Sequence, residues 1–268
     1  TITIGAGTAA FNGNVTGAVN IATNGGEVKL YAGGTITGAV DNTTGNPNQG
    51  TLTFNGSGTV TAAIGNSNAL ASIGLFNTSG ATITLSGAVK AQALSLGANN
   101  GTATFGSATI ANEVSLTANT QQLTFNKTSA LNGGFDFNGF SGTVTVDSAA
   151  GNNTLTGAIT SHNSTAGTLA ITGGANTVTF ASAIGETSSH RVGLITVAAS
   201  TTAVFSSTVY SQQINLSGTA KFNGNVNGAL AFTSTGTIQL YDGGAISGAV
   251  DNTGTANQGT LTFNGSGS

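Results

Sequence analysis

The stretch FNGNVTGAVNIATNGGEVKLYAGGTITGAVDNTTGNPNQGTLTFNGSG, residues 11–58, returns as FNGNVNGALAFTSTGTIQLYDGGAISGAVDNTGTANQGTLTFNGSG, residues 222–267, with only two single-residue gaps. Self-similarity on this scale marks a repeat architecture before any element is assigned. The signature Gly-Thr-Ala-x-Phe opens each copy, at Gly7–Phe11, Gly101–Phe105 and Gly218–Phe222. A more divergent copy lies between them: residues 35–65 align with residues 154–185, and Leu85, Val89, Leu94 and Leu96 fall on Phe205, Val209, Ile214 and Leu216. The repeat units therefore run 7–100, 101–217 and, as a fragment, 218–268.

The spacing of the copies separates two folds. Gly7 and Gly101 lie 94 residues apart, whereas Thr35 and Thr154 lie 119 apart, so the second unit holds about 25 extra residues, near 125–146. One closed sandwich would have to carry such an insertion as a long loop. In a solenoid it amounts to about one more coil, because each coil touches only its neighbours. Short alternating segments such as Thr51-Leu-Thr-Phe54, Thr82-Ile-Thr-Leu85 and Thr177-Val-Thr-Phe180 read as strands. No sustained 3.6-residue period accompanies them. The expected fold is all-β: one continuous right-handed parallel β-helix (β-solenoid) over 1–268, built from units of about 94 residues. Tandem immunoglobulin-like β-sandwiches are the alternative, since about 94 residues is near the size of one such domain.

Asn-Gly pairs begin at Asn12, Asn24, Asn55, Asn100, Asn132, Asn138, Asn223 and Asn264. They suit type I′ hairpins or, equally, sharp solenoid corners in the left-handed conformation. Strands this short favour corners. The small residues Ala39, Ala62, Ala63, Ala158 and Ala249, beside aliphatic ones, fit an expected narrow coil interior.

Composition narrows the function. Of 268 residues 42 are Gly, while Lys and Arg together number 5 and Asp and Glu 8; Cys, Met and Trp are absent. Without Cys there is no disulfide and no Cys-based metal site. Lys29, Lys90, Lys127, Arg191 and Lys221 are isolated, which argues against nucleic-acid binding, where clustered cations neutralise phosphates. No run of 18 apolar residues is present, and three Tyr cannot supply the two aromatic girdles of a membrane barrel, so no membrane insertion is expected. The chain opens at Thr1 without a basic segment, so any export signal is expected outside this stretch.

The chemistry-bearing residues look dispersed. His162 and His190 lie 28 apart in Ser/Thr-rich segments and read as surface loop residues. The carboxylates Glu27, Asp41, Glu113, Asp136, Asp147, Glu186, Asp242 and Asp251 are scattered, whereas β-helix polysaccharide enzymes need grouped carboxylates plus a cation. Asp41 and Asp251 are repeat equivalents and read as Asx-turn devices. Gly5-Ala-Gly7 and Gly56-Ser-Gly58 lack a phosphate loop's third Gly and its Lys. Thr-x-Thr motifs suggest an ice-ordering face, but their starts at Thr1, Thr35, Thr51, Thr59, Thr82, Thr102, Thr143, Thr177 and Thr260 are spaced too irregularly for one motif per coil. The expectation is no catalytic, cofactor-binding or metal residue, and no cofactor.

The strings GAVDNTTG (38–45), GTLTFNGSGTVT (50–61), IGNSNALASI (64–73) and GTATFGSATI (101–110) together resemble the passenger repeats of the rickettsial surface cell antigens, an outer-membrane autotransporter family. The resemblance covers most of the chain, is densest in 11–106 and weakens in 125–147. It implies a secreted β-helical passenger on the bacterial cell surface, adhesive or protective, with no catalysis; the family's translocator barrel is not in this stretch. The expected partners are other copies or neighbouring repeats stacked end to end, since both termini read as cut rather than capped, and a host-cell or matrix receptor. A subunit of an extracellular filament or surface layer is the second reading, and a β-helix polysaccharide-acting enzyme the third.

Overall fold

A computed structural model describes residues 1–126, 129–241 and 243–266; Lys127 and Asp242 lie outside them. Among the described residues there is no helix, and every strand pairing is parallel. The chain is a β-solenoid. Parallel pairing of successive short strands also removes the immunoglobulin-like alternative, whose sheets are antiparallel.

Two compact units are present, Thr1–Phe125 with Leu131–Gly133, and Asn126–Ala130 with Gly134–Ser268. Their boundary falls inside 101–217, beside the extra residues. In the first unit, one coil runs through Val19–Ile21, Gly26–Tyr31 and Gly34–Ile36, and the next through Val40–Asn42, Thr51–Asn55 and Gly58–Val60. Each strand pairs with its counterpart one coil on. The long strand Ala81–Leu96 serves two sides of a coil: Ile83–Leu85 pair with Gly58–Val60, and Ala91–Leu96 with Leu70–Leu75. Its register shifts between Leu85 and Ala88, where the chain turns.

Alternation and parallel stacking together place like on like. Inward positions form apolar columns, such as Ile36, Val60, Leu85, Phe105 and Phe125 in the first unit, and Leu155, Phe180, Phe205, Phe222 and Leu240 in the second. All ten are buried. Neighbouring rings in a column have to stack face to face: Phe180–Phe205 and Phe205–Phe222 centroids lie 5.3 and 4.9 Å apart, 9° and 10° from parallel. These separations are close to the strand spacing of about 4.8 Å. Each buried Phe contributes on the order of 1.5–3 kcal/mol, and a stacked pair about 0.5–1.5 kcal/mol more.

Outward positions form Thr columns. Thr35, Thr59, Thr84, Thr104 and Thr124 are in register in the first unit, and Thr177, Thr202, Thr219, Thr237 and Thr260 in the second. The irregular Thr-x-Thr gaps do not prevent stacking, because coils differ in length: the step from Thr177 to Thr202 is nearly half as long again as that from Thr202 to Thr219. The column beside Thr177 is mixed, however, running Thr179, Val204, Lys221, Gln239 and Thr262.

The corners correct two expectations. Ala39, Ala62, Ala63 and Ala158 are half-buried or exposed at the rim, and Ala249 is exposed; none lines the interior. They sit where consecutive corners pack backbone against backbone, and the Ala39, Ala63 and Ala249 carbonyls accept the N–H of Val19, Val40 and Leu230 on the preceding coil. A Cβ on Gly38 would strike the backbone of Gly17, one on Gly87 that of Ala62, and one on Gly248 the Gly228 carbonyl. Small residues are therefore needed for contact between coils at the corner. Of the eight Asn-Gly pairs named above and a ninth at Asn227-Gly228, only Asn24-Gly25, at Gly25, and Asn138-Gly139, at both residues, carry a positive φ. At the other seven the left-handed conformation is not what the pair supplies.

Candidate functional site

In the second unit, Phe135, Ile159, Ile184 and Val209 form one inward column, each in register with the next. The chain turns a corner just past each of them. Asp136 follows Phe135 directly, His162 stands three residues after Ile159, and Glu186 two after Ile184. Three successive coils thus deliver a carboxylate, an imidazole and a carboxylate to the same corner.

Asp136 comes from the extra residues near 125–146. It stands between Phe135 and Phe137, both fully buried with their rings edge to face at 5.1 Å, and its own side chain is only 6% exposed. A buried carboxylate needs its lone pairs filled. Oδ1 accepts the backbone N–H groups of Asn138 at 2.8 Å and His162 at 3.1 Å, and Oδ2 faces His162 Nδ1 at 2.9 Å. Burial pushes the Asp136 carboxyl up, but the His162 ring and the two backbone donors outweigh it and hold the group below the ordinary Asp value. Asp136 thus grips His162 by both backbone and ring, which fixes the orientation of the imidazole.

The other face of that ring meets the next coil. His162 Nε2 lies 2.7 Å from Glu186 Oε1, and the second oxygen of Glu186 lies 4.0 Å from His190 Nδ1. A tight loop aligns Glu186 with His190: Gly185 turns at φ 70°, Glu186 N–H donates to the His190 carbonyl at 2.9 Å, and His190 N–H donates to Thr187 Oγ1 at 3.2 Å. Arg191 closes the loop by donating from Nε to the Ser188 carbonyl at 2.6 Å. The side chains of His162, Glu186 and His190 are 45%, 33% and 42% exposed, so the cluster opens to solvent on one side and is anchored by buried Asp136 on the other.

The two histidines are therefore not independent loop residues, as the sequence suggested, and four of the groups that looked scattered converge. A signal for this lay in the spacing. Asp136, His162 and Glu186 follow one another at nearly equal intervals, each close to the length of the extra coil, and His190 shares a loop with Glu186.

Several of the other charged groups have partners of their own. Glu27 accepts from Thr8 and Thr53 at 3.0 Å each and pairs with Lys29 at 3.2 Å. Burial raises its carboxyl, but Lys29 and the two hydroxyls together more than reverse this and hold it below the ordinary Glu value. Asp147 accepts from Ala149 N–H at 2.9 Å, and Glu113 from Ser115 at 3.3 Å. Asp41 is no Asx-turn acceptor; it reaches the next coil, taking the N–H of Ser67 at 3.0 Å and its hydroxyl at 2.5 Å. The Asx turns belong to its neighbours, with Asn42 accepting from Thr44 N–H and Asn252 from Gly254 N–H, each at 3.1 Å. A groove of about 210 Å³ in the first unit, lined by Gly80, Asn100, Thr102, Thr120 and Gln122 among others, is smaller than the roughly 300 Å³ at which ordinary small-molecule sites begin. Comparison with family models, curated proteins and solved structures finds no match to this chain.

Proposed function

We propose that this chain is a non-catalytic structural and adhesive repeat segment of a bacterial cell-surface protein of the autotransporter type, displayed outside the cell. The observation that carries this reading is the pair of in-register Thr columns, one in each unit, over an apolar interior. Such a face offers the same hydroxyl contact again at every rung, about 4.8 Å apart, and carries little charge. A receptor or matrix polymer that binds one rung weakly gains avidity by engaging several at once. The absence of Cys supports the same reading, because a chain passing unfolded through an outer-membrane pore can then fold coil by coil outside, from local contacts. The resemblance of residues 11–106 to surface-antigen passengers adds to it.

The test is binding of the purified, fluorescently labelled chain to cultured host cells and to immobilised extracellular matrix, with unlabelled chain as competitor. Saturable binding that the competitor displaces is the expected result. Binding that neither saturates nor is displaced, on cells and matrix alike, would remove the adhesive role.

A further inference from the structure

The Asp136–His162–Glu186–His190 corner carries an inference independent of surface display. Asp136 takes the Nδ1 side of His162 and leaves Nε2 directed at Glu186. Two arrangements suit an imidazole held in this way. Nε2 either keeps a proton and donates it to Glu186, or gives its lone pair to a cation that Glu186 also ligates. His190 favours the second. Its Nδ1 faces the other oxygen of the same carboxylate, and it brings another nitrogen donor to the solvent-open side.

We propose that His162 Nε2, Glu186 and His190 Nδ1 form a three-ligand site for a borderline divalent transition-metal ion, Zn²⁺ in the first instance, with Asp136 as the positioning residue behind His162. Two His and one carboxylate, completed by water, are a donor set suited to four-coordinate zinc, with metal–ligand bonds of about 2.0–2.2 Å. Such bonds place tetrahedral ligand atoms roughly 3.3 Å apart. In the structure the three donors do not yet converge: His162 Nε2 lies 2.7 Å from one oxygen of Glu186 and His190 Nδ1 lies 4.0 Å from the other, so closure needs the solvent-open Glu186 and His190 side chains to rotate toward His162. A carboxylate on the far nitrogen of a ligating His is the usual outer partner of such a site; it sets the tautomer and strengthens the donor. Here that partner is built in and buried. Because His162 lies on one coil and Glu186 and His190 on the next, the ion would clip two coils together, as a cross-link in a chain that has no disulfide.

The test uses the full chain, stripped with chelator and titrated with ZnCl₂ by calorimetry, with thermal unfolding measured alongside. The expected result is one saturable equivalent per chain and a rise in Tm with zinc. His190→Ala and Glu186→Gln, both at solvent-open positions, should each weaken binding at least tenfold while leaving the metal-free circular dichroism spectrum unchanged. Asp136→Asn should weaken it about 10- to 100-fold. Co²⁺ in place of Zn²⁺ should give the intense visible absorption of a four-coordinate ion in the parent chain but not in His190→Ala. The absence of saturable binding would overturn the proposal, as would binding left unchanged by both His190→Ala and Glu186→Gln.

Discussion

Gly38 and Gly13 show how differently the same residue type is used along this chain. A Cβ at Gly38 would run into the backbone of Gly17 on the neighbouring coil, whereas nothing lies within 4 Å of one at Gly13, and neither residue has a positive φ. Gly38→Ala should therefore cost about 1–3 kcal/mol through overpacking. Gly13→Ala should stay within about 0.5 kcal/mol of the parent. Urea unfolding followed by circular dichroism measures both, and equal effects would contradict the corner-contact account. The same scale explains why the high glycine content was legible as punctuation while its reason was not. Sequence shows that Gly recurs before Ala-Val in GAV, but contact between backbones one coil apart depends on the length of each coil. Asp136 was illegible for a related reason. It lies in the extra residues, where no repeat equivalent exists, so its stacking onto His162 could be found only by counting one coil forward.

At the scale of the strand, the recurring Thr-x-x-Phe of Thr177–Phe180, Thr202–Phe205 and Thr219–Phe222 states the pattern: hydroxyl outside, ring inside, one strand above another. Phe205 sits between two rings and is fully buried, so Phe205→Ala should cost about 3–5 kcal/mol, read from the urea midpoint. Thr202→Ala, on the opposite side of the same strand, loses only a β-branched outward side chain and should cost no more than about 1 kcal/mol. Comparable losses at the two positions would mean that this strand is not buried on one face only. Period-two alternation made the strands readable and the variable unit length pointed to coils. The Thr columns were concealed, because equal spacing in sequence is not required for equal position in space. Short coils and long ones both return the chain to the same column when the difference is taken up at the corners.

Within the second unit, the account stands or falls on parallel, in-register stacking. Thr177, Thr219, Thr237 and Thr260 are far apart and unevenly spaced in sequence, yet they occupy one column at rungs zero, two, three and four. Since the chain has no Cys, any introduced pair can be labelled cleanly. The most direct measurement is dipolar electron paramagnetic resonance between a spin label at Cys-substituted Thr177 and a second at Thr219, Thr237 or Thr260 in turn. Stacked coils predict separations of about 10, 14 and 19 Å, growing by one strand spacing per rung. Distances that fail to increase in that order, or that jump by a sheet-to-sheet spacing of roughly 10 Å between neighbouring rungs, would contradict the solenoid.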